Sequence, residues 1–150
     1  MSGISERIFL TLWIGGMWTI GYIVAPTLFS TLDDRMLAGK LAGQLFTIMS
    51  YIGILACLVL LISQRIQAAQ NRMKNWRGWV LVIMLLIILV GQFVLQPVMS
   101  ELKQGGIVEG SLEARKFAQT HGFASVLFLV NSLLGLVLVV FGLHANPLKE

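Results

Sequence analysis

A stripe of polar side chains in the last hydrophobic segment of the chain suggests the clearest chemistry. At about 100° per residue, Ser125 lies about 40° from His121 around a helix, and Asn131 lies about 80° to the other side. Polar groups inside a membrane usually face the other helices of a bundle. A neutral imidazole is also a frequent ligand of haem iron and copper. His121 is therefore the candidate metal ligand of this sequence.

Two glutamines form a second polar edge. Gln92 and Gln96 are four residues apart, so they lie on the same side of a helix. We expect both stripes to meet in one polar pocket in the outer leaflet of the membrane, lined by Gln92, Gln96, His121, Ser125 and Asn131. The alternative is structural, because the same groups can bond to one another at about 0.5–2 kcal/mol each.

Catalytic arrangements are missing from the sequence. It has no Ser-His-Asp set, no phosphate-binding glycine loop and no paired-histidine metal motif. None of the predicted spans contains an acidic residue, which removes the usual carboxylate of a proton-coupled transporter. We therefore predict that the protein is not an enzyme, and we expect no cofactor, with haem or copper at His121 as the alternative.

Four long stretches without charged residues must position these side chains. Of the 150 residues, 57% are hydrophobic and 12% are charged, and the mean hydropathy is +0.83. The charge-free stretches contain 25, 24, 23 and 32 residues, and each exceeds the roughly 20 residues that a helix needs to cross a bilayer. They predict an all-α polytopic membrane protein, a four-transmembrane-helix bundle in a single domain over 1–150, with spans at about 8–29, 40–63, 78–99 and 117–143.

Basic residues predict the orientation of the bundle. Arg65, Arg72, Lys74 and Arg77 stand between the second and third spans without any acidic residue. Short loops rich in Lys and Arg stay in the cytoplasm, so we expect both termini to be cytoplasmic. The remaining basic residues are scattered over several connections, so the net charge of +4 does not predict a nucleic-acid partner. The predicted location is the bacterial inner membrane, with multiple passes.

Small residues on the spans predict close helix packing. Membrane helices approach one another where glycine or another small residue leaves the backbone uncovered. The candidate packing positions are Gly15, Gly21, Gly39, Gly43 and Gly135. The lipid bilayer is the predicted surrounding, and other membrane protein subunits, or a second copy of the chain, are the predicted partners.

Several short motifs together resemble a known family. They are Trp13–Trp18, Gly21–Phe29, Ala38–Phe46, the Gln96-Pro97 pair, and His121-Gly-x-x-Ser125 leading to Asn131. In this order they resemble the transmembrane protein 205-like family, also called domain of unknown function 4149. The resemblance implies a four-helix membrane protein and leaves its mechanism open.

A more distant similarity concerns metal chemistry. The pattern is similar to copper resistance protein D and to haem-associated protoporphyrinogen oxidase-type membrane proteins. That similarity implies a ligand role for intramembrane histidine, which only His121 could play here. The chain has no histidine after Pro26-Thr27-Leu28-Phe29.

Three functions follow as hypotheses from the sequence. The leading one is a non-enzymatic accessory or interaction subunit of the inner membrane, because the spans carry small-residue faces and the loops are short. The second is a haem- or copper-binding membrane protein that uses His121. The third is an exporter of a small solute, or one that confers metal tolerance, through the outer-leaflet pocket.

Overall fold

The described residues are almost entirely helical, apart from short connections at 32–34 and 110–111. A computed structural model describes residues 3–68, 76–104 and 110–141, and these ranges contain no strand. The helices are α1 (Gly3–Trp18), α2 (Ala25–Thr31), α3 (Arg35–Ala68), α4 (Trp76–Val90), α5 (Gln96–Gln104) and α6 (Leu112–Phe141), with π-helical turns at Thr19–Val24 and Gly91–Leu95.

Four continuous helical segments are long and apolar enough to cross a membrane, which confirms the predicted all-α, four-span fold. We call them span 1 (Ser5–Thr31), span 2 (Arg35–Ile66), span 3 (Trp76–Lys103) and span 4 (Leu112–Phe141). Each extends past the charge-free stretch that predicted it, because a helix can continue into the charged boundary of a bilayer. The predicted span 4 reached residue 143, and its last two positions lie outside the described residues.

Capping side chains fix two of the helix starts. The Asp34 carboxylate accepts hydrogen bonds from the backbone N–H groups of Met36, at 2.8 Å, and Leu37, at 3.1 Å. Ser111 Oγ accepts one from the Ala114 N–H at 3.0 Å, the bond that is typical of an N-cap serine. The first turns of spans 2 and 4 are therefore stabilised by the side chains of Asp34 and Ser111.

The four spans pack as neighbours in a ring. Span 2 contacts spans 1 and 3, and span 4 contacts spans 3 and 1. Pairing is antiparallel: Glu6 meets Ser63 near one end of the bundle, and Phe29 meets Gly39 near the other. We call these the Arg77 end, where span 2 ends and span 3 begins, and the Asp33 end, where span 1 ends and span 2 begins.

The core is an apolar seam shared by all four spans. Its buried members include Leu10 and Trp13 of span 1, Leu60 of span 2, Met84 of span 3 and Leu138 of span 4. Many large apolar side chains, including Leu12, Ile62 and Trp79, point outward and are exposed. Such a surface is stable in lipid, where outward apolar groups cost nothing, and fits the predicted membrane environment.

Two π-helical turns interrupt the odd-numbered spans at similar depths. The Ala25 N–H bonds to the Ile20 carbonyl, and the Gln96 N–H bonds to the Gly91 carbonyl, each five residues back. Each bond comes directly before a proline, Pro26 or Pro97. A proline lacks an N–H and clashes with the carbonyl four residues earlier, and the wider π-turn accommodates that conflict.

Candidate functional site

Span 3 binds the glycine-rich start of span 2 through two polar side chains. Gln96 Nε2 donates to the Gly43 carbonyl at 3.5 Å and to Thr47 Oγ1 at 3.4 Å. Lys103 Nζ donates to the Gly39 carbonyl at 3.2 Å. Glycines expose their backbone carbonyls to a neighbouring helix, so these bonds join spans 2 and 3 near the Asp33 end.

A stack of side chains joins Lys103 to His121. The Lys103 ammonium lies 5.4 Å from the centre of the Phe117 ring, which is a cation–π contact. The His121 ring is nearly parallel to the Phe117 ring, at 9°, with 5.9 Å between centroids. The imidazole therefore stacks on a side chain of its own helix. Both His121 and Ser125 are exposed.

The polar stripe of span 4 is buried in one half and exposed in the other. Ser132 and His121 lie within about 20° of each other around the helix, yet Ser132 is 2% exposed whereas His121 is exposed. The contacts of span 1 with α6 come from α1 and the adjoining π-turn, whereas α2 packs on α3. The half of α6 nearest the Asp33 end therefore has an open face, which we call the notch.

Small and polar residues form the surface of the notch. Ala118, His121, Gly122 and Ser125 are all exposed there. A Cβ atom added to Gly122 would have no neighbour within 4 Å. The Ser125 hydroxyl donates to the His121 carbonyl at 2.9 Å, so it is satisfied within its own helix.

The five predicted pocket residues occupy three separate places. Gln96 bonds to span 2, and Gln92 is half-buried within the second π-turn. His121 and Ser125 lie in the notch, whereas Asn131 is buried and donates to Met17 Sδ at 3.5 Å. The printed partners of Gln96, Ser125 and Asn131 thus differ, and a pocket shared by the five residues stays a prediction.

A different pocket lies between α5 and α6 near the Asp33 end. It has a volume of about 420 Å³ and is lined by Glu101, Glu113 and Lys116, with Val98 and Leu102 among its apolar residues. None of the five predicted pocket residues lines it. Its charges are of both signs and face the surface, which is typical of a membrane boundary.

Aromatic side chains fill the bundle below the notch. The Phe128 ring lies 5.5 Å from both the Tyr22 ring of span 1 and the Phe46 ring of span 2. Tyr22 also meets Trp18 edge to face at 6.4 Å. These separations are typical of favourable aromatic pairs, so the rings hold three spans together at this depth.

Metal binding at His121 stays a prediction. The described ranges contain no group of three or more His, Cys, Asp or Glu side chains that could hold a metal ion. A haem iron can be held by a single protein imidazole, so His121 could serve as an axial haem ligand without a second protein ligand. We expect the purified protein to show neither a haem absorption band nor bound copper by metal analysis. An absorption band or metal content that His121→Ala removes would contradict this expectation.

Comparison with known proteins identifies the family. The family described as a domain of unknown function (DUF4149) matches residues 8–107. The chain belongs to this family. The DUF4149 match contains Gln92 and Gln96, whereas His121, Ser125 and Asn131 lie beyond it. No curated relative and no solved structure matches the chain.

The candidate packing glycines of this DUF4149 protein differ in their surroundings. Gly135 packs against Ile14, whose nearest atom would lie 2.5 Å from an added Cβ, and Gly21 packs against the Phe128 ring. Gly39 and Gly43 face the side chains of span 3 described above. Gly15 was predicted to be a helix-packing position, but it is exposed, and an added Cβ would have nothing within 4 Å.

One buried polar group of the DUF4149 chain was missed by the sequence analysis. Glu6 lies inside span 1 and is buried, and the Ser63 hydroxyl donates a hydrogen bond to its carboxyl group. The expectation that no span contains an acidic residue is therefore wrong, because the helix begins before Arg7. Its position gives a signal: Glu6 continues the stripe of Leu10, Trp13 and Met17, all of which are buried.

Proposed function

We propose that this protein is a non-enzymatic interaction subunit of the bacterial inner membrane. In this proposal, a transmembrane helix of another subunit packs into the notch on span 4. The subunit belongs either to a different membrane protein or to a second copy of the chain. Both termini and the Arg77 end face the cytoplasm, which the basic cluster before span 3 supports.

The exposed face of the notch carries this proposal. Membrane helices associate through small residues that permit close approach and through polar groups that avoid lipid. Ala118, Gly122 and Ser125 provide the small surface, and His121 provides a polar group beside it. The same helix already uses this packing in its buried half, where Gly135 lies against Ile14. The notch therefore has the composition of a helix contact, and none of the described helices of this chain covers it.

Leucine at Gly122 tests the notch directly. We expect Gly122→Leu to reduce recovery of the native partner at least about tenfold after purification in mild detergent, because a bulky side chain prevents close helix approach. The measurement is quantitative mass spectrometry of proteins that co-purify with the tagged chain. For a second copy as the partner, two differently tagged copies are co-expressed and the same recovery is measured.

Gly15→Leu is the matched control for this experiment. Both glycines are exposed on membrane helices, and neither would bring an added Cβ within 4 Å of another group. Gly15 lies outside the notch, so its variant should keep the partner. Equal recovery from both variants, or isolation of the wild-type protein without any stoichiometric companion, would rule out the notch as the contact.

A further inference from the structure

Three buried polar atoms near the middle of the bundle have no hydrogen-bond partner in the described parts of the chain. They are Asn131 Oδ1 and Ser132 Oγ on span 4, and Trp18 Nε1 on span 1. Asn131 is 3% exposed and Ser132 is 2% exposed. The contact between Asn131 and Met17 places span 4 beside the residue that precedes Trp18, so the three groups lie at a similar depth.

Such groups are costly when they are left alone. A buried polar atom without a partner destabilises a fold by about 1–3 kcal/mol, and lipid offers no hydrogen bonds in exchange. Native proteins therefore satisfy nearly all of their buried polar atoms, often with an ordered water molecule. The rings of Tyr22 and Phe128, each one helical turn from Trp18 and Ser132 respectively, are in contact, so the three atoms lie on facing sides of spans 1 and 4 and can share one small ligand.

The hydroxyl of Ser132 differs from four other hydroxyls on these spans. Thr19, Ser50, Thr120 and Ser125 each donate to the carbonyl four residues earlier in their own helix. Ser132 is buried and has no such bond. Its hydroxyl is therefore available to a ligand between the helices. Most serines of a membrane helix instead donate to a backbone carbonyl of their own helix.

We propose that Trp18, Asn131 and Ser132 form a binding site for water in the interior of the membrane bundle. The indole N–H needs an acceptor and the amide oxygen needs a donor, whereas the serine hydroxyl can serve as either. Water supplies both functions and is small enough for a site beside the nearly fully buried Asn131 and Ser132 and the half-buried Trp18. The π-turn that begins at Thr19, directly after Trp18, widens the helix beside this site.

Hydroxyl-radical footprinting tests the site in lipid nanodiscs. Radicals made by brief X-ray exposure arise from water, so methionines that touch bound water are oxidised first. Met17 is the reporter, because its sulfur lies 3.5 Å from Asn131 Nδ2. Met49 is the control, because it is 9% exposed whereas Met17 is 5% exposed. Without a bound water, Met49 should therefore react at least as fast.

We expect the rate of sulfoxide formation at Met17 to exceed that at Met49 several-fold, as measured by peptide mass spectrometry. Asn131→Leu and the milder Ser132→Ala should each bring the Met17 rate down to that of Met49. A wild-type Met17 rate no higher than that of Met49 would overturn the proposal. So would a fast Met17 rate that neither variant lowers. If Asn131→Leu does not fold, Ser132→Ala and the wild-type comparison still decide.

Discussion

Alanine at Gly21 should lower the free energy of unfolding by about 1–3 kcal/mol, the usual cost of inserting a methyl group into a packed core. An added Cβ would overlap two carbon atoms of the Phe128 ring and lie in tight contact with a third. The ring cannot easily move aside, because Tyr22 and Phe46 lie against it at 5.5 Å. Reversible unfolding in mixed micelles of dodecylmaltoside and SDS, followed by tryptophan fluorescence, provides the measurement.

Gly122→Ala is the control for this experiment. It adds the same methyl group to a membrane helix, but nothing lies within 4 Å of the new atom. Its free energy of unfolding should stay within about 0.5 kcal/mol of the wild-type value. If the two variants were equally stable, the close contact between span 1 and Phe128 would not exist in the membrane.

Removal of the Glu6 carboxyl group should be similarly costly. Glu6→Ala leaves the buried Ser63 hydroxyl without the acceptor that it now uses, and we expect a loss of about 1–3 kcal/mol in the free energy of unfolding. Ser63→Ala should cost less in the Glu6→Ala protein than in the wild type, because the shared bond is already broken. The same unfolding experiment measures all four proteins of this double-mutant cycle.

An exposed acidic residue at the opposite end of the bundle provides the comparison. Glu101 lies on the surface near the Asp33 end, so Glu101→Ala should change stability by less than about 0.5 kcal/mol. Equal losses for Glu6→Ala and Glu101→Ala would mean that Glu6 makes no special contribution. Additive losses for Glu6→Ala and Ser63→Ala would mean that the two side chains act separately.

The number and type of the helices could be read from the sequence, because a charge costs so much in lipid that its absence over 23 or more residues has one main explanation. The buried half of span 4 could be read too, since Asn131, Ser132 and Gly135 lie on one side of a helix. Membership of the DUF4149 family was also indicated by the order of short motifs.

The position of His121 could not be read in the same way. Helical periodicity gives the direction of a side chain, but not whether another helix reaches the same depth on that side. Beyond Ala25, span 1 packs on span 2 and not on span 4. The sequence of span 4 alone does not indicate where span 1 leaves it. Glu6 was missed for another reason, because the charge-free stretch starts after Arg7 although the helix starts before it.

The π-turn in span 1 changes the directions in which the side chains after it point around the helix axis. An unbroken helical wheel drawn from Glu6 through Met17 would turn Val24 and Leu28 inward, whereas Ala25 is the residue that is buried. The extra residue rotates the terminal segment by about 100°, one position of an α-helix. Deleting a single residue between Thr19 and Val24 would let the segment continue as an unbroken α-helix with Ala25 still facing inward, whereas an α-helical turn of the present length would turn Ala25 away. The length of this short turn, and not only its composition, therefore sets which side chains the end of span 1 presents to its neighbour.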